Sequence, residues 1–143
     1  MNTIMKMLVA LLTVTGLFSL QAEQARSVAN EGARVYIISP ADGDIVDSDL
    51  IVRFGLSGMG VAPAGTNMPG TGHHHLLLDL AEAPDMSKPL PASEKVIHFG
   101  KGQTQVKLSL TPGSHTLQLL LGDYVHTPHD NPLFSKKITV TVR

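Results

Sequence analysis

The chain contains no cysteine and no tryptophan, and only 4% of its residues are aromatic. Without cysteine it has no disulfide, no thiolate metal site, no thiol nucleophile and no lipid attached through a cysteine. Acidic and basic side chains nearly balance, with a formal net charge of −1 over 143 residues. The sequence shows no basic stripe of the kind that binds nucleic acid or a membrane surface, so we expect no nucleic-acid partner.

The first 22 residues have the order of a secretory signal peptide. Lys6 precedes an uncharged apolar stretch over 7–20, and the small residue Ala22 follows. The apolar stretch is shorter than the roughly 20 residues that span a bilayer, which makes an uncleaved anchor the weaker alternative. We therefore predict a signal peptide over 1–22, export to the periplasm or the medium, and no membrane span after cleavage.

The remainder divides into a polar, aperiodic lead-in over 23–32, which we expect to be flexible, and one domain over 33–143. In that domain apolar residues recur mostly with a period of two, and Gly- and Pro-containing turns separate the runs. The predicted strands are 34–39, 49–56, 73–80, 96–99, 103–110, 115–122 and 136–142. This pattern predicts an all-β fold, a single antiparallel β-sandwich of the immunoglobulin or fibronectin type III kind.

Histidine is the residue with the most informative distribution, because all seven copies lie between positions 73 and 129. In a sandwich of this kind strand 73–80 runs antiparallel beside strand 115–122 in one sheet, and strand 49–56 beside strand 103–110 in the other. The start of strand 73–80 therefore meets the loop over 123–130 that follows strand 115–122. Histidines that are far apart in the chain should converge at this end of the domain.

Strand alternation places His73 and His75 on the same face, and the loop brings His126 and His129 towards them. Neutral imidazole is a common ligand for zinc and copper. We therefore predict a copper or zinc site with these four residues as ligands. His98, in the strand that leads towards 103–110, is a further candidate ligand or a donor to a ligand.

Other residues near this end refine the prediction. Met59 and Met68, both in the Gly/Pro-rich loop over 58–72, would favour cuprous ion because thioethers are soft ligands. His74 should point into the core, and His115, at the opposite end of its strand among core leucines, should be structural.

Two alternatives remain open. In the first, the histidines form hydrogen bonds with loop carbonyl groups and hold no metal. The domain is then a non-catalytic binding or adaptor module for an envelope protein. A metal-dependent hydrolase would need an open coordination position and an acid or base beside it, and the sequence identifies neither. We therefore expect no enzymatic activity.

The aspartates between 42 and 49 do not form an EF-hand loop, because Val46 occupies a ligand position and no flanking helix is predicted. A solvated hairpin turn, with aspartate side chains bonded to nearby backbone groups, is the expected structure.

Four motifs in order carry a family resemblance: TGHHHLLLD (71–79), HFGKGQT (98–104), PGSHTLQLLLGD (112–123) and HTPHDNP (126–132). From about Gly58 to the C-terminus the chain resembles the exported bacterial family called domain of unknown function 4399. The family pattern often ends its last motif in two prolines, where this chain has Asn131 and Pro132. The resemblance implies a small exported β protein without an established biochemical role, and it places all seven histidines inside family motifs.

Overall fold

The computed structural model describes residues 25–143, which form two β-sheets packed face to face. The signal peptide predicted over 1–22 lies outside these residues. Residues 25–143 contain no helix, and so none that is long and apolar enough to cross a membrane. The nine strands are β1 (Arg34–Ser39), β2 (Ile45–Val46), β3 (Asp49–Ser57), β4 (Gly60–Val61), β5 (Thr71–Leu78), β6 (Val96–His98), β7 (Gln105–Ser109), β8 (Gly113–Gly122) and β9 (Ile138–Val142).

The first sheet has the order β1-β3-β7, and the second has the order β2-β9-β8-β5-β4, with β6 also paired to β5. The predicted neighbours are confirmed, because β5 runs antiparallel to β8 and β3 runs antiparallel to β7. Two short strands were not predicted: β2 pairs with β9, and β4 pairs with β5, both in parallel. Two-residue strands carry too little alternation to be recognised in a sequence. The fold is thus an all-β sandwich, and its closer likeness to an immunoglobulin domain stays a prediction.

The main core lies between the sheets and is built from the inward positions of both. Alternation along β3, β8 and β9 supplies it, since every second side chain of a strand points to the same face. Its fully buried members are Val52, Leu76, Leu117, Leu119, Leu121 and Val140.

A second, smaller apolar cluster covers the other face of β5 and β8. Leu77 and Leu120 form its base, and Leu90 and Val96 close over them from the proline-containing stretch and from β6. The alternation of β5 places side chains on the two sides as predicted, but the outer side is not solvated: Leu77 is 3% exposed. Strand β5 is therefore buried on both faces, which puts any polar side chain it carries into a dry environment.

The lead-in over 25–32 forms no strand, but it makes specific contacts with the loops at the end of the sandwich. Ser27 Oγ donates a hydrogen bond to Asp123 Oδ2 at 2.7 Å, and Ala29 N donates to Asp130 Oδ1 at 3.0 Å. Asn30 Nδ2 donates to the Gly58 carbonyl at 2.8 Å. These bonds hold the lead-in against the end of the domain where the histidines lie.

Candidate metal centre

Four histidines from three separate segments meet on the outer face of β5. His73 and His75 lie on β5, His98 ends β6, and His126 lies in the loop after β8. Each offers one ring nitrogen to a group whose atoms all lie within 4.8 Å of one another. The expected convergence of chain-distant imidazoles is present, and the group has the size of a coordination site.

Strand register explains three of the four positions. In the β5–β6 ladder His75 is directly opposite His98, and in the β5–β8 ladder His73 is opposite Gly122. His73 and His75 are two positions apart on one strand, so they share a face, and their ring centroids are 4.8 Å apart. The two ladders therefore position His73, His75 and His98 without any contribution from a loop.

The fourth ring depends on the turn that follows β8. His126 has a positive φ of 66°, which is uncommon for a residue other than glycine. Its N–H donates to the Asp123 carbonyl at 2.9 Å, and its own carbonyl accepts from Leu90 N at 2.9 Å. The turn and the covering segment together hold this ring against His98, with the two centroids 4.4 Å apart.

Burial keeps three of these rings uncharged. Desolvation, reinforced by His126 and His98, lowers the pKa of His73 to about 4 although Asp123 acts in the opposite direction. Desolvation and the neighbouring imidazoles lower the pKa of His75 to about 3, and burial with His126 lowers that of His98. At neutral pH His73, His75 and His98 are therefore neutral and keep a free lone pair, the form that binds metals.

Several buried ring nitrogens of this group have no hydrogen-bond partner among the described residues. They are Nδ1 of His73, both nitrogens of His75 and Nε2 of His98. The one bond within the group joins His73 Nε2 and His126 Nδ1 at 3.0 Å. Buried polar atoms in folded proteins nearly always have a partner, so these four nitrogens call for one. Outside the group, both ring nitrogens of His74 and Nδ1 of His129 are also without a partner within residues 25–143.

His129, which was predicted as a ligand, is not brought to the other four rings. It is 1% exposed, and its Nε2 donates to the Thr71 carbonyl at 3.2 Å. The ring borders a cavity of about 330 Å³ beside Arg26 and Met68. His98, predicted as a further candidate ligand or a donor to a ligand, is a member of the cluster, and His129 is not.

The remaining histidines have different environments. His74 points into the main core as predicted, with its ring centroid 5.2 Å from that of Phe54. Burial lowers its pKa to about 4, an effect that the nearby backbone of Gly55 and Gln103 only partly opposes. His115 has the structural position predicted for it, because its Nδ1 bonds Asp79 Oδ2 at 2.7 Å and its Nε2 donates to the Thr111 carbonyl at 2.8 Å.

The two methionines give no evidence for copper. Met59 packs against the main core, and Met68 is 59% exposed at the cavity that also borders His129. The aspartate-rich turn is likewise accounted for by other contacts: Asp42 binds Lys136 and Thr139 N, and Asp49 binds Lys107. These carboxylates serve separate partners rather than a shared ion.

One residue that sequence reasoning missed is Asp123, a carboxylate that is 3% exposed beside the cluster. It lay within the loop over 123–130 that was expected to meet the triplet, but nothing in the pattern distinguished it from a solvated turn residue. Its position directly after an apolar strand was the available signal, because such a residue is carried into the interior by the strand it ends.

Comparison with known proteins agrees with the motifs. No curated protein and no solved structure matches the chain. The family described as Domain of unknown function (DUF4399) matches residues 52–143, which include β4 to β9, most of β3 and every histidine of the cluster, but not β1 or β2. The chain therefore belongs to the DUF4399 family, as its four ordered motifs suggested.

Proposed function

We propose that this protein is an exported, non-catalytic domain that binds one transition-metal ion, copper or zinc, through His73, His75, His98 and His126. The observation that carries the proposal is the group of four imidazole nitrogens, all within 4.8 Å of one another. The apolar stretch at the N-terminus, which has the order of a signal peptide, supports the export part of the proposal.

The spacing of the rings suits a four-coordinate ion. Nitrogens about 2.0–2.1 Å from a tetrahedral zinc ion are about 3.3 Å from one another. His73 Nε2 and His126 Nδ1 are already 3.0 Å apart, held by two segments that the sheet and the turn keep in place. The most widely separated of the four nitrogens, up to 4.8 Å apart, would have to approach by about 1.5 Å to hold the ion.

The type of ligand restricts the type of ion. The group consists of imidazoles, without a carboxylate or a thiolate. Calcium and magnesium prefer oxygen ligands, whereas imidazole suits zinc, copper, nickel and iron. Copper and zinc remain the proposed ions, and the rings alone do not distinguish between them.

A purely structural role for these histidines fits the contacts less well. A buried donor or acceptor without a partner costs about 1–3 kcal/mol. His75 would leave both its nitrogens unpaired, whereas the structural His115 has both of its nitrogens bonded. A bound ion would give the unpaired lone pairs of the cluster a partner.

Binding without catalysis is favoured by the number of ligands. A catalytic zinc ion typically keeps three protein ligands and one open position for water or substrate. Four imidazoles would fill a tetrahedral ion completely. The proposal therefore describes a closed site that stores, carries or is stabilised by its ion.

Titration of metal-free protein with Zn²⁺ and Cu²⁺, followed by thermal unfolding, tests the proposal. An ion that binds the folded state stabilises it by about 2.7 kcal/mol at a free concentration of 100 times Kd. His98→Gln and His126→Gln, which alter the partly exposed rings, should reduce or abolish this stabilisation. His129→Gln is the matched control and should retain it, because the structure places that ring outside the group.

The opposite results are equally clear. If neither ion changes the unfolding temperature of the unmodified protein, the site binds no metal and the adaptor alternative is favoured. If His129→Gln loses stabilisation as fully as His98→Gln does, the ligand set differs from the four residues assigned here.

A further inference from the structure

Asp123 is a buried carboxylate that the fold holds beside the four rings without making it a member of their group. It follows Gly122, which is paired with His73, and its backbone carbonyl accepts the N–H of His126 at 2.9 Å. It is 3% exposed. The chain thus places one acidic side chain next to two of the four assigned ligands.

Both carboxylate oxygens of Asp123 are engaged as acceptors. Oδ1 accepts from Val125 N at 3.0 Å and from Thr127 N at 2.9 Å, and Oδ2 accepts from Ser27 Oγ at 2.7 Å. The Oδ1 bonds explain how the residue shapes the turn that carries His126. An amide oxygen would serve that purpose equally well, so the turn alone does not require a negative charge.

The carboxylate is held beside the segment that carries a proposed ligand. Its Oδ1 bonds the backbone on either side of His126, and the preceding Gly122 lies against the His75 ring, where a Cβ would be 2.6 Å from Cε1. Arg26 lines the same cavity as Asp123, but its hydrogen bonds go to the carbonyl oxygens of Met86 and His129 at 3.4 Å. Within residues 25–143 Asp123 forms no salt bridge, so no ion pair competes with a cation held by the rings.

Four neutral imidazoles contribute no charge to the ion they hold, and a buried charge without a counter-charge is unfavourable. We propose that Asp123 is the non-ligating counter-charge of the metal centre and makes the centre select divalent over monovalent cations. This inference rests on the proposed metal site and adds to it the charge class of the ion. Coulomb energy is proportional to charge. Removal of the Asp123 charge should therefore reduce the binding free energy of a divalent ion by twice as much as that of a monovalent ion.

Asp123→Asn removes the charge while keeping the shape and the Oδ1 acceptor. Affinities of the full-length domain for Zn²⁺ and for Ag⁺, a monovalent ion that is not oxidised or reduced in air, are measured in chloride-free buffer. We expect a loss of about tenfold for Ag⁺ and about a hundredfold for Zn²⁺ relative to the unmodified protein. Thermal unfolding of the metal-free variant reports separately on the fold.

Asp130→Asn is the matched control. Asp130 is in the same loop, and like Asp123 it anchors the lead-in, through Ala29 N at 3.0 Å, but its side chain is exposed. Removing its charge should change the Zn²⁺ and Ag⁺ affinities by less than about threefold, because solvent screens an exposed charge.

The outcomes separate this inference from the proposed function. If the unmodified protein binds neither ion, both fail. In the other contradicting outcomes the unmodified protein binds Zn²⁺, but Asp123→Asn lowers the affinities for both ions equally, lowers neither, or changes them no more than Asp130→Asn does. In each of these cases the counter-charge role is wrong and the metal site stands.

A second variant covers the case in which Asp123→Asn does not fold. Ser27 is partly exposed, and Ser27→Lys would place an ammonium group against Asp123 Oδ2 from the lead-in. Ser27→Lys should reduce the binding free energy of Zn²⁺ by twice as much as that of Ag⁺. The uncharged Ser27→Gln should keep the original ratio of Zn²⁺ to Ag⁺ affinity. Equal ratios in the two variants would overturn the inference.

Discussion

Two glycines make room for the imidazoles of the cluster. A Cβ atom at Gly122 would lie 2.6 Å from Cε1 of His75 and 3.0 Å from its Nδ1. A Cβ atom at Gly100 would overlap the ring of His98. Both rings are therefore packed against bare backbone, and any larger residue at these two positions would have to displace a proposed ligand.

Gly122→Ala should consequently damage both stability and metal binding. We expect a loss of about 1–3 kcal/mol in the free energy of unfolding, the usual cost of overpacking a buried site. The metal-induced rise in unfolding temperature should also shrink, because the His75 ring must move. Urea unfolding and the Zn²⁺ titration measure the two effects.

Gly60→Ala provides the control for this substitution. Its Cβ would meet nothing closer than Thr71 Cγ2 at 3.6 Å, an ordinary contact. The change in stability should stay within about 0.5 kcal/mol, as at most surface positions. Equal effects at Gly60 and Gly122 would contradict the steric explanation.

Environment, not residue type, separates the histidine roles in this protein. Hydrogen bonds that His115 donates to Asp79 and to the Thr111 carbonyl raise the pKa of His115, whereas burial lowers that of His73 to about 4. Sequence reasoning predicted the structural role of His115 from its place at the far end of a strand. It could not predict the contrast with His73, because desolvation depends on what covers a ring.

Strand β5 carries the site because it is covered on both faces. Its inner side chains, such as Leu76, belong to the main core, and its outer Leu77 belongs to the second cluster. Leu78 N donates to the Lys95 carbonyl at 2.9 Å, which ties the covering segment to the strand. This cover removes water from the outer face and lowers the pKa of the histidines there.

Leu77→Ala tests whether the outer face is a true core. We expect it to cost about 2–5 kcal/mol, in the range of a buried leucine and comparable with Leu76→Ala. Ile51→Ala, on the solvent side of β3 at 43% exposure, should cost less. Urea unfolding of the three variants compares them directly, and a Leu77 value no larger than that of Ile51 would show that the segment does not seal the strand.

At the level of elements, sequence reasoning was right about the long strands and incomplete about the short ones. The alternation over 103–110 and 115–122 was sufficient to predict β7 and β8 and their neighbours. Strand β6 was recognised, but its pairing with β5 was not, because three residues do not specify a partner. That pairing is what places His98 opposite His75.

For the whole molecule, the buried histidines make stability depend on pH. The pKa values of His73, His74 and His75 are about 4, 4 and 3 in the folded protein, below the ordinary value of 6.5. The unfolded chain therefore binds more protons than the folded one between these limits. Stability should be complete above pH 6.5 and should be lost as the pH falls towards 4.

Urea unfolding of the metal-free protein between pH 7.5 and 4.5 measures this loss. Each shifted histidine should contribute a slope of up to about 1.4 kcal/mol per pH unit within the window. His74→Leu removes one of the shifted histidines, the one outside the proposed ligand set. Because the pKa of His98 is lowered as well, the slope should fall by between about a quarter and a third. A slope that does not change in this variant would show that His74 is not neutral in the folded state.

Other shifted groups act mainly outside the window between pH 6.5 and 4.5, apart from His98, whose lowered pKa adds to the same loss. The pKa of Asp79 is lowered from 3.8, since hydrogen bonds from His115 and Thr116 outweigh the opposing effect of burial. Its contribution is lost only as the pH falls below that value. His115 has a raised pKa, so its contribution is complete below pH 6.5 and is lost only as the pH rises through the folded value.

The sequence by itself determined the long strands, the pairing of β5 with β8, the sides of His73, His74 and His75, and the family motifs. These features follow from the two-residue period of the pleated backbone, which is local and therefore visible in a sequence. Only the tertiary structure decided that His126 rather than His129 joins the cluster. That choice depends on the φ of 66° at His126 and on its bond to Leu90, 36 positions away in the chain. No local period encodes such contacts, because a loop side chain takes its direction from the segments that pack against it.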